Sequence, residues 1–155
     1  MLVAAAALCL CAACSTGEPS TFALTAATAD ATYWCPGGAT NKPYDLHATL
    51  AVRNGTTAAV TISSVTASLT LQAVKGSWLE KVGEAYDAGS ATFSPSTVGA
   101  GSSATLKVTI ASACTSPTYG SRDSSFGDYR VTLHVTTSKG AYSIAASNLH
   151  RIIAA

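Results

Sequence analysis

The segment YDLHATLAVR, residues 44–53, alternates between apolar and polar side chains along most of its length. Successive side chains of a β-strand point to opposite faces of a sheet, so this alternation is typical of a strand with one face on a core and one in water. The apolar side chains predicted to point inward are Leu46, Ala48, Leu50 and Val52. The segment therefore predicts a half-buried strand.

Three other parts of the chain carry the same period-two pattern. ATLKVTI at residues 104–110 and YRVTLHVT at residues 129–136 alternate as regularly as the first segment. Between residues 60 and 71 the inward parity switches at Ser63-Ser64, and a β-bulge or a change of sheet produces such a switch. The inward side chains there are Val60 and Ile62, then Val65, Ala67, Leu69 and Leu71.

Turn residues separate the predicted strands. Asn54-Gly55 predicts a hairpin leading into Val60, and Lys139-Gly140 predicts a hairpin leading into a strand that contains Tyr142. Trp78–Tyr86 differs from the rest because its apolar residues follow helical spacing and Ser77 with Glu80 forms a capping-box pattern. We expect a short helical turn there, over one edge of the fold, although Gly83 weakens it.

About seven or eight short strands joined by turns predict an all-β fold, a Greek-key β-sandwich over residues 22–155. Phe126-Gly127-Asp128-Tyr129 resembles the tyrosine corner of immunoglobulin-like domains, in which a tyrosine follows a glycine two places earlier and opens a late strand. The resemblance covers Phe93 to Ala146 and implies an immunoglobulin-like sandwich. Cys35 and Cys114 do not reproduce the disulfide of antibody domains.

Residues 1–13 are predicted to be a signal peptide. The apolar run from Leu2 to Ala13 has about 12 residues, whereas a membrane-spanning helix needs about 20. No Lys or Arg precedes the run, as expected if the recorded start lies downstream of the true one.

Leu10-Cys11-Ala12-Ala13-Cys14 resembles the lipobox of bacterial lipoproteins, which implies that Cys14 is lipidated. The leucine lies four residues before Cys14, whereas the lipobox places it three before. An ordinary signal cut near Ala13, or an unprocessed apolar N-terminus, remains the alternative. Residues 14–21 are then a polar tether, and the protein is expected to be exported and lipid-anchored to the outer face of the cytoplasmic membrane, in the cell envelope.

The cysteines that remain in the folded domain are Cys35 and Cys114. In an oxidising compartment such a pair predicts a disulfide. A metal pair is the alternative, but no histidine lies near either cysteine in the sequence.

Catalytic and metal-binding patterns do not assemble in the sequence. There is no Gly-x-Ser-x-Gly motif, and Glu80 with Glu84 is the closest local pair of carboxylates, more typical of a solvated surface. His47 and His134 fall on predicted outward faces and would meet if their strands were neighbours. We therefore expect no enzyme activity, no cofactor and no metal site.

The formal charge is +1, and the nine basic residues never form a cluster of three, so the sequence gives no sign of a nucleic-acid site. The longest predicted loop, Thr115 to Asp128, would lie beside Trp34 if the disulfide forms. Aromatic and arginine side chains are the usual anchors of interfaces. The candidate binding surface consists of Trp34, Tyr119, Arg122, Asp123 and Phe126. In the alternative, Trp34 and Phe126 only cap the core.

The expected function is that of a non-enzymatic envelope lipoprotein whose domain serves protein interaction or a structural role. Its expected partners are the membrane, through the lipid, and another envelope protein. A module for a small ligand or a metal is the second hypothesis. An accessory domain that supports a neighbouring enzyme is the third.

Overall fold

The protein is described by a computed structural model over residues 21–116 and 125–154. These residues form ten β-strands and no helix. The strands are β1 (Phe22–Ala29), β2 (Thr32–Cys35), β3 (Lys42–Asn54), β4 (Val60–Lys75), β5 (Ala85–Ser90), β6 (Thr92–Ser94), β7 (Thr97–Val98), β8 (Ser103–Cys114), β9 (Ser125–Thr137) and β10 (Gly140–Ala154). No helix of these residues could cross a membrane. The predicted signal, Cys14 and most of the tether lie outside the described residues.

Two sheets make up the fold. The first has the order β1-β3-β8-β6, and the second has the order β2-β10-β9-β4-β5, with β7 also pairing with β4. All pairs are antiparallel except β2 with β10, which is parallel. The chain crosses from one sheet to the other at every connection except those between β4 and β5 and between β9 and β10. This is the predicted immunoglobulin-like β-sandwich, with three short strands added to seven long ones.

The core lies between the two sheets and contains the side chains that alternation placed there. Leu46 and Leu50 of β3, Leu106 of β8, and Leu133 of β9 are all fully buried. The parity switch in β4 is a β-bulge, because its register with β9 shifts between Ile62 and Ser64. Both halves of β4 therefore point their apolar side chains into the same core, which confirms the prediction.

Of the two predicted hairpins, one is confirmed. Ser138 and Lys139 form the turn between β9 and β10, and Thr137 pairs with Gly140. The Asn54-Gly55 hairpin is wrong, because β3 and β4 belong to different sheets. Asn54 is instead fully buried, and its side chain bonds to the loop that crosses between the sheets.

The predicted helical turn at Trp78–Tyr86 is also wrong. Residues 77–84 form an irregular turn, and Tyr86 belongs to β5, which pairs with β4. The helical spacing fails because its apolar residues face different ways. Leu79 and Val82 are 76% and 61% exposed, whereas Trp78 packs against the core.

Tyr129 does not form a tyrosine corner. It is the fifth residue of β9, which begins at Ser125, so it does not open the strand. Its hydroxyl bonds to the side chains of Trp78 and Glu80. The resemblance therefore led to the correct fold through a motif that serves another purpose here.

Candidate functional site

The sandwich has two ends, which differ in what they hold. At the first, which we call the tether end, Phe22 pairs with Asn54, and the Gly55 N–H donates to the carbonyl of Thr21. At the other, which we call the disulfide end, Lys42 pairs with Cys114. The chain that leads from residues 14–21 therefore enters the domain at the end opposite the disulfide.

Cys35 and Cys114 form the predicted disulfide. Cys35 is the last residue of β2 and Cys114 the last of β8, so the bond joins the two sheets. Close by, the Ser116 N–H donates to the carbonyl of Ala39 at 2.9 Å, and the Asn41 N–H donates to the Thr115 hydroxyl at 3.0 Å. The segment after Trp34 thus lies beside the start of the predicted loop, as expected.

Two residues of the predicted binding surface can be placed. Trp34 of β2 and Phe126 of β9 lie on the outer face of the second sheet, where Ile153 of β10 pairs with both. Trp34 is 63% exposed and does not cap the core, so that alternative is wrong. Phe126 belongs to a strand and not to the predicted loop. Tyr119, Arg122 and Asp123 lie outside the described residues.

An arginine whose position is fixed by hydrogen bonds completes this surface. Arg151 donates to both carboxylate oxygens of Asp128, at 2.7 and 2.9 Å. Its guanidinium group lies 3.8 Å from the centre of the Phe126 ring. The hydrogen bond to Asp128 raises the pKa of Arg151. We call Trp34, Phe126, Asp128, Arg151 and Ile153 the outer-face patch. The sequence pattern could not reveal Arg151 and Ile153, because their membership follows from strand order.

A cleft opens between the two sheets at the disulfide end, and the sequence did not predict it. Its volume is about 280 Å³, and it adjoins a wider hollow of about 530 Å³. Both spaces share Asn41, Glu80, Ala113 and Tyr129. We call the two together the end cleft. The one sequence signal for it was Trp78, an apolar residue in a segment that fitted no strand.

Three side chains with fixed positions form one wall of the end cleft. The indole N–H of Trp78 donates to the Tyr129 hydroxyl at 2.8 Å, and that hydroxyl donates to Glu80 Oε2 at 3.2 Å. Burial raises the pKa of Tyr129, so the hydroxyl keeps its proton and can act as this donor. A Cβ atom at Gly127 would stand 2.6 Å from the Trp78 ring, so glycine is required for the close approach.

The histidines do not assemble into a site. His47 of β3 and His134 of β9 belong to different sheets, so the condition under which they would meet is not fulfilled, and both are exposed strand residues. His47 Nδ1 lies 3.1 Å from Asp30 Oδ2, and His134 bonds to the hydroxyls of two serines. Among residues 21–116 and 125–154, no group of three or more His, Cys, Asp or Glu side chains could hold a metal ion.

His150 is fully buried behind the end cleft, where it pairs with Tyr129. Its Nδ1 lies 2.7 Å from the carbonyl oxygen of Asp30, which can only accept, so Nδ1 carries the proton. Its Nε2 therefore accepts from the Tyr44 hydroxyl at 2.9 Å. Burial lowers the pKa of His150, which favours this neutral form.

No protein-family profile and no curated protein sequence matches the chain. Among solved structures, it is similar to a PapD-like domain of human CEP192, with 14% identity and a TM-score of 0.32 over 99% of this chain and 94% of that one. It is also similar to AggA, the major subunit of aggregative adherence fimbriae type I from Escherichia coli. There the identity is 10% and the TM-score 0.33, over 86% of this chain and 95% of that one.

Proposed function

We propose that this protein is a non-enzymatic lipoprotein of the cell envelope whose sandwich domain binds another envelope protein through the outer-face patch. One observation carries the proposal. Trp34 is exposed on the same face of the sheet as Phe126 and Arg151, whose guanidinium group lies against the Phe126 ring. An exposed aromatic ring beside an ordered arginine is typical of the anchor residues of interfaces. Both side chains offer a large contact area, and they lose little conformational entropy on binding.

The position of the patch in the domain supports this role. The tether enters at Thr21, at one end of β1 and β3, whereas Trp34 and Ile153 lie at the other end of the sandwich. A strand as long as β3 extends roughly 40 Å at about 3.3 Å per residue. If Cys14 holds the lipid, the patch faces away from the membrane and toward partners in the envelope.

Site-specific photo-crosslinking in the native envelope tests the interaction. A benzoylphenylalanine is placed at position 34, and a control is placed at position 45, since Asp45 is exposed on β3 in the other sheet. We expect one defined crosslinked protein from position 34, lost in Arg151→Glu, and none from position 45. Equal products at both positions, or products that persist in Arg151→Glu, contradict the proposal.

Lipidation has its own test. Metabolic labelling with palmitate is expected to mark the protein, and Cys14→Ala is expected to abolish the label, whereas Cys11→Ala retains it. Wild-type protein that reaches the envelope without the label would refute the lipid anchor. That result would not bear on the binding surface, which the crosslinking experiment tests. The two parts of the proposal are therefore separable.

The end cleft favours a second candidate function, that of a small-ligand module. A concave space with a few convergent polar groups is the usual form of such a site. Ala113 borders both parts of the cleft, so Ala113→Phe is expected to fill it. Ligands that raise the thermal midpoint of the wild type but not of Ala113→Phe would support this function.

A further inference from the structure

We propose that the end cleft binds a small organic cation, an ammonium group carried on a short apolar stem. The proposal rests on the second candidate function and names its ligand class. Three features of the cleft support it: its charge, its aromatic rings and its apolar wall.

The described residues that line the cleft carry negative charge. Glu80 borders both of its parts and Glu84 borders the wider one, whereas no Lys or Arg is among the described residues that line either part. Glu80 receives a neutral hydrogen bond from Tyr129, and Glu84 Oε2 accepts from the backbone N–H of Lys81 at 2.9 Å. Within the described residues neither carboxylate forms a salt bridge. A cation entering the cleft would therefore supply the missing counter-charge.

Aromatic rings stand next to these carboxylates. Tyr129 borders both parts of the cleft, with Trp78 on one side and Tyr86 on the other. The ring centres of Trp78 and Tyr129 are 6.5 Å apart, and those of Tyr86 and Tyr129 are 6.0 Å apart. The faces of aromatic rings attract organic cations, and the attraction grows when the cation is partly removed from water. A carboxylate flanked by rings is thus matched to an organic cation better than to a hydrated metal ion.

The rest of the narrower part is lined by both polar and apolar residues, and the apolar ones form a continuous part of its wall beside the disulfide. Cys114, Ile152 and Ala154 line the narrower part, beside the disulfide. Its volume of about 280 Å³ is just below the usual range for ligand sites. The narrower part fits a short alkyl stem with its charge at Glu80.

Nuclear magnetic resonance of the full chain tests the proposal. The two tryptophans give two indole N–H signals, assigned with Trp34→Phe. The probes are pentylammonium, 1-pentanol and pentanoate, which share one stem and differ in charge. We expect pentylammonium to shift the Trp78 signal saturably and to bind at least about tenfold tighter than 1-pentanol, equivalent to about 1.4 kcal/mol. The Trp34 signal is expected to stay in place, and added salt is expected to weaken binding.

Glu80→Gln keeps the shape of the side chain and removes its charge. We expect it to reduce pentylammonium affinity about tenfold while leaving 1-pentanol unaffected. Asp45→Asn removes a carboxylate from outside the cleft and is expected to change neither. The dependence on salt in the wild type gives the same information if Glu80→Gln does not fold.

The outcomes separate the ligand class from the ligand function. Equal binding of pentylammonium and 1-pentanol, or pentylammonium binding unchanged in Glu80→Gln, overturns the cation but keeps a small-ligand site. Saturable binding of none of the three probes overturns the cation, and a further absence of any ligand whose effect Ala113→Phe removes overturns the site itself.

Discussion

The two ends of the sandwich use buried polar groups in opposite ways. At the tether end, the Asn54 side chain donates to the carbonyls of Ala58, Val98 and Gly99 and accepts from the N–H and hydroxyl of Thr56. At the disulfide end, the chain of Trp78, Tyr129 and Glu80 stops at a carboxylate on the border of an open cleft.

Both proposed functions assign contact to the disulfide end, and this difference supports that assignment. A fully satisfied network fixes a single arrangement and has nothing left to offer a partner. At the disulfide end, Glu80 forms no salt bridge with any residue that the structure describes, and Leu79 and Val82 beside it in the chain are exposed. Trp34, next to the disulfide, is exposed as well, so this end retains groups that a ligand or protein can bind. The predictions that follow disturb one end and ask whether the other responds.

The largest effect is expected from removal of the disulfide. Cys35→Ala with Cys114→Ala opens a closed loop with a separation of 79 residues. In the chain-entropy model this lowers the free energy of unfolding by about 4–5 kcal/mol. Urea denaturation measures the loss, and reduction of the wild type provides an independent check. Hydrogen exchange is expected to speed up most at β2 and the end of β8; a loss below about 1 kcal/mol would contradict the prediction.

The second effect concerns Asn54. Asn54→Asp replaces its donors by a carboxylate that faces three carbonyl oxygens, and we expect a loss of about 3 kcal/mol. The matched control is Asn41→Asp at the disulfide end, where the side chain is exposed, and its expected effect is within about 0.5 kcal/mol. Similar effects in the two variants, measured by urea denaturation, would remove the contrast between the ends.

Alternation was enough to predict most of the core, because the sequence of each strand itself shows which of its faces is buried. Every second side chain from Leu46 to Val52 and from Val131 to Val135 is buried as predicted, and the bulge at Ser63-Ser64 was visible as a change of parity. Which strands pair with each other depends on residues that are far apart in the sequence. Asn54-Gly55 has the residues of a hairpin turn, yet the buried Asn54 side chain holds a crossing between sheets, and the sequence alone does not separate these two uses.

The site was predicted less completely than the fold, for the same reason. Trp34 and Phe126 were recognised by residue type, but Ile153 and Arg151 join them through the order β2-β10-β9. The end cleft depends on a contact between Trp78 and Gly127, which are far apart in the sequence. Gly127 was noticed as part of a tyrosine corner, whereas its function here is to leave room for an indole ring.

The third prediction tests that contact. Gly127→Ala places a methyl group against the Trp78 ring, and we expect a loss of about 2 kcal/mol, typical of overpacking. In a Trp78→Ala background the same substitution is expected to lose most of its effect. The double-mutant cycle measures the coupling. Equal effects of Gly127→Ala in both backgrounds would show that the ring does not limit residue 127.

The smallest effect is a dependence of stability on pH. The pKa of His150 lies below its ordinary value of 6.5 in the folded protein, so in the interval between the two values the unfolded chain binds more protons than the folded one. The contribution of His150 to the free energy of unfolding is therefore fully present above pH 6.5. It decreases as the pH drops below this value, by up to about 1.4 kcal/mol per pH unit. Urea denaturation between pH 7 and pH 5 measures this slope. His150→Phe is expected to remove the slope, whereas His134→Gln, on an exposed strand face, is expected to retain it.

Hydrogen exchange at low pH compares the two ends. Because His150 bonds to Asp30 and Tyr44 behind the end cleft, the exchange rate is expected to rise in β2 before it rises around Asn54. A uniform rise in the exchange rate across both ends would mean that they do not respond separately to acid.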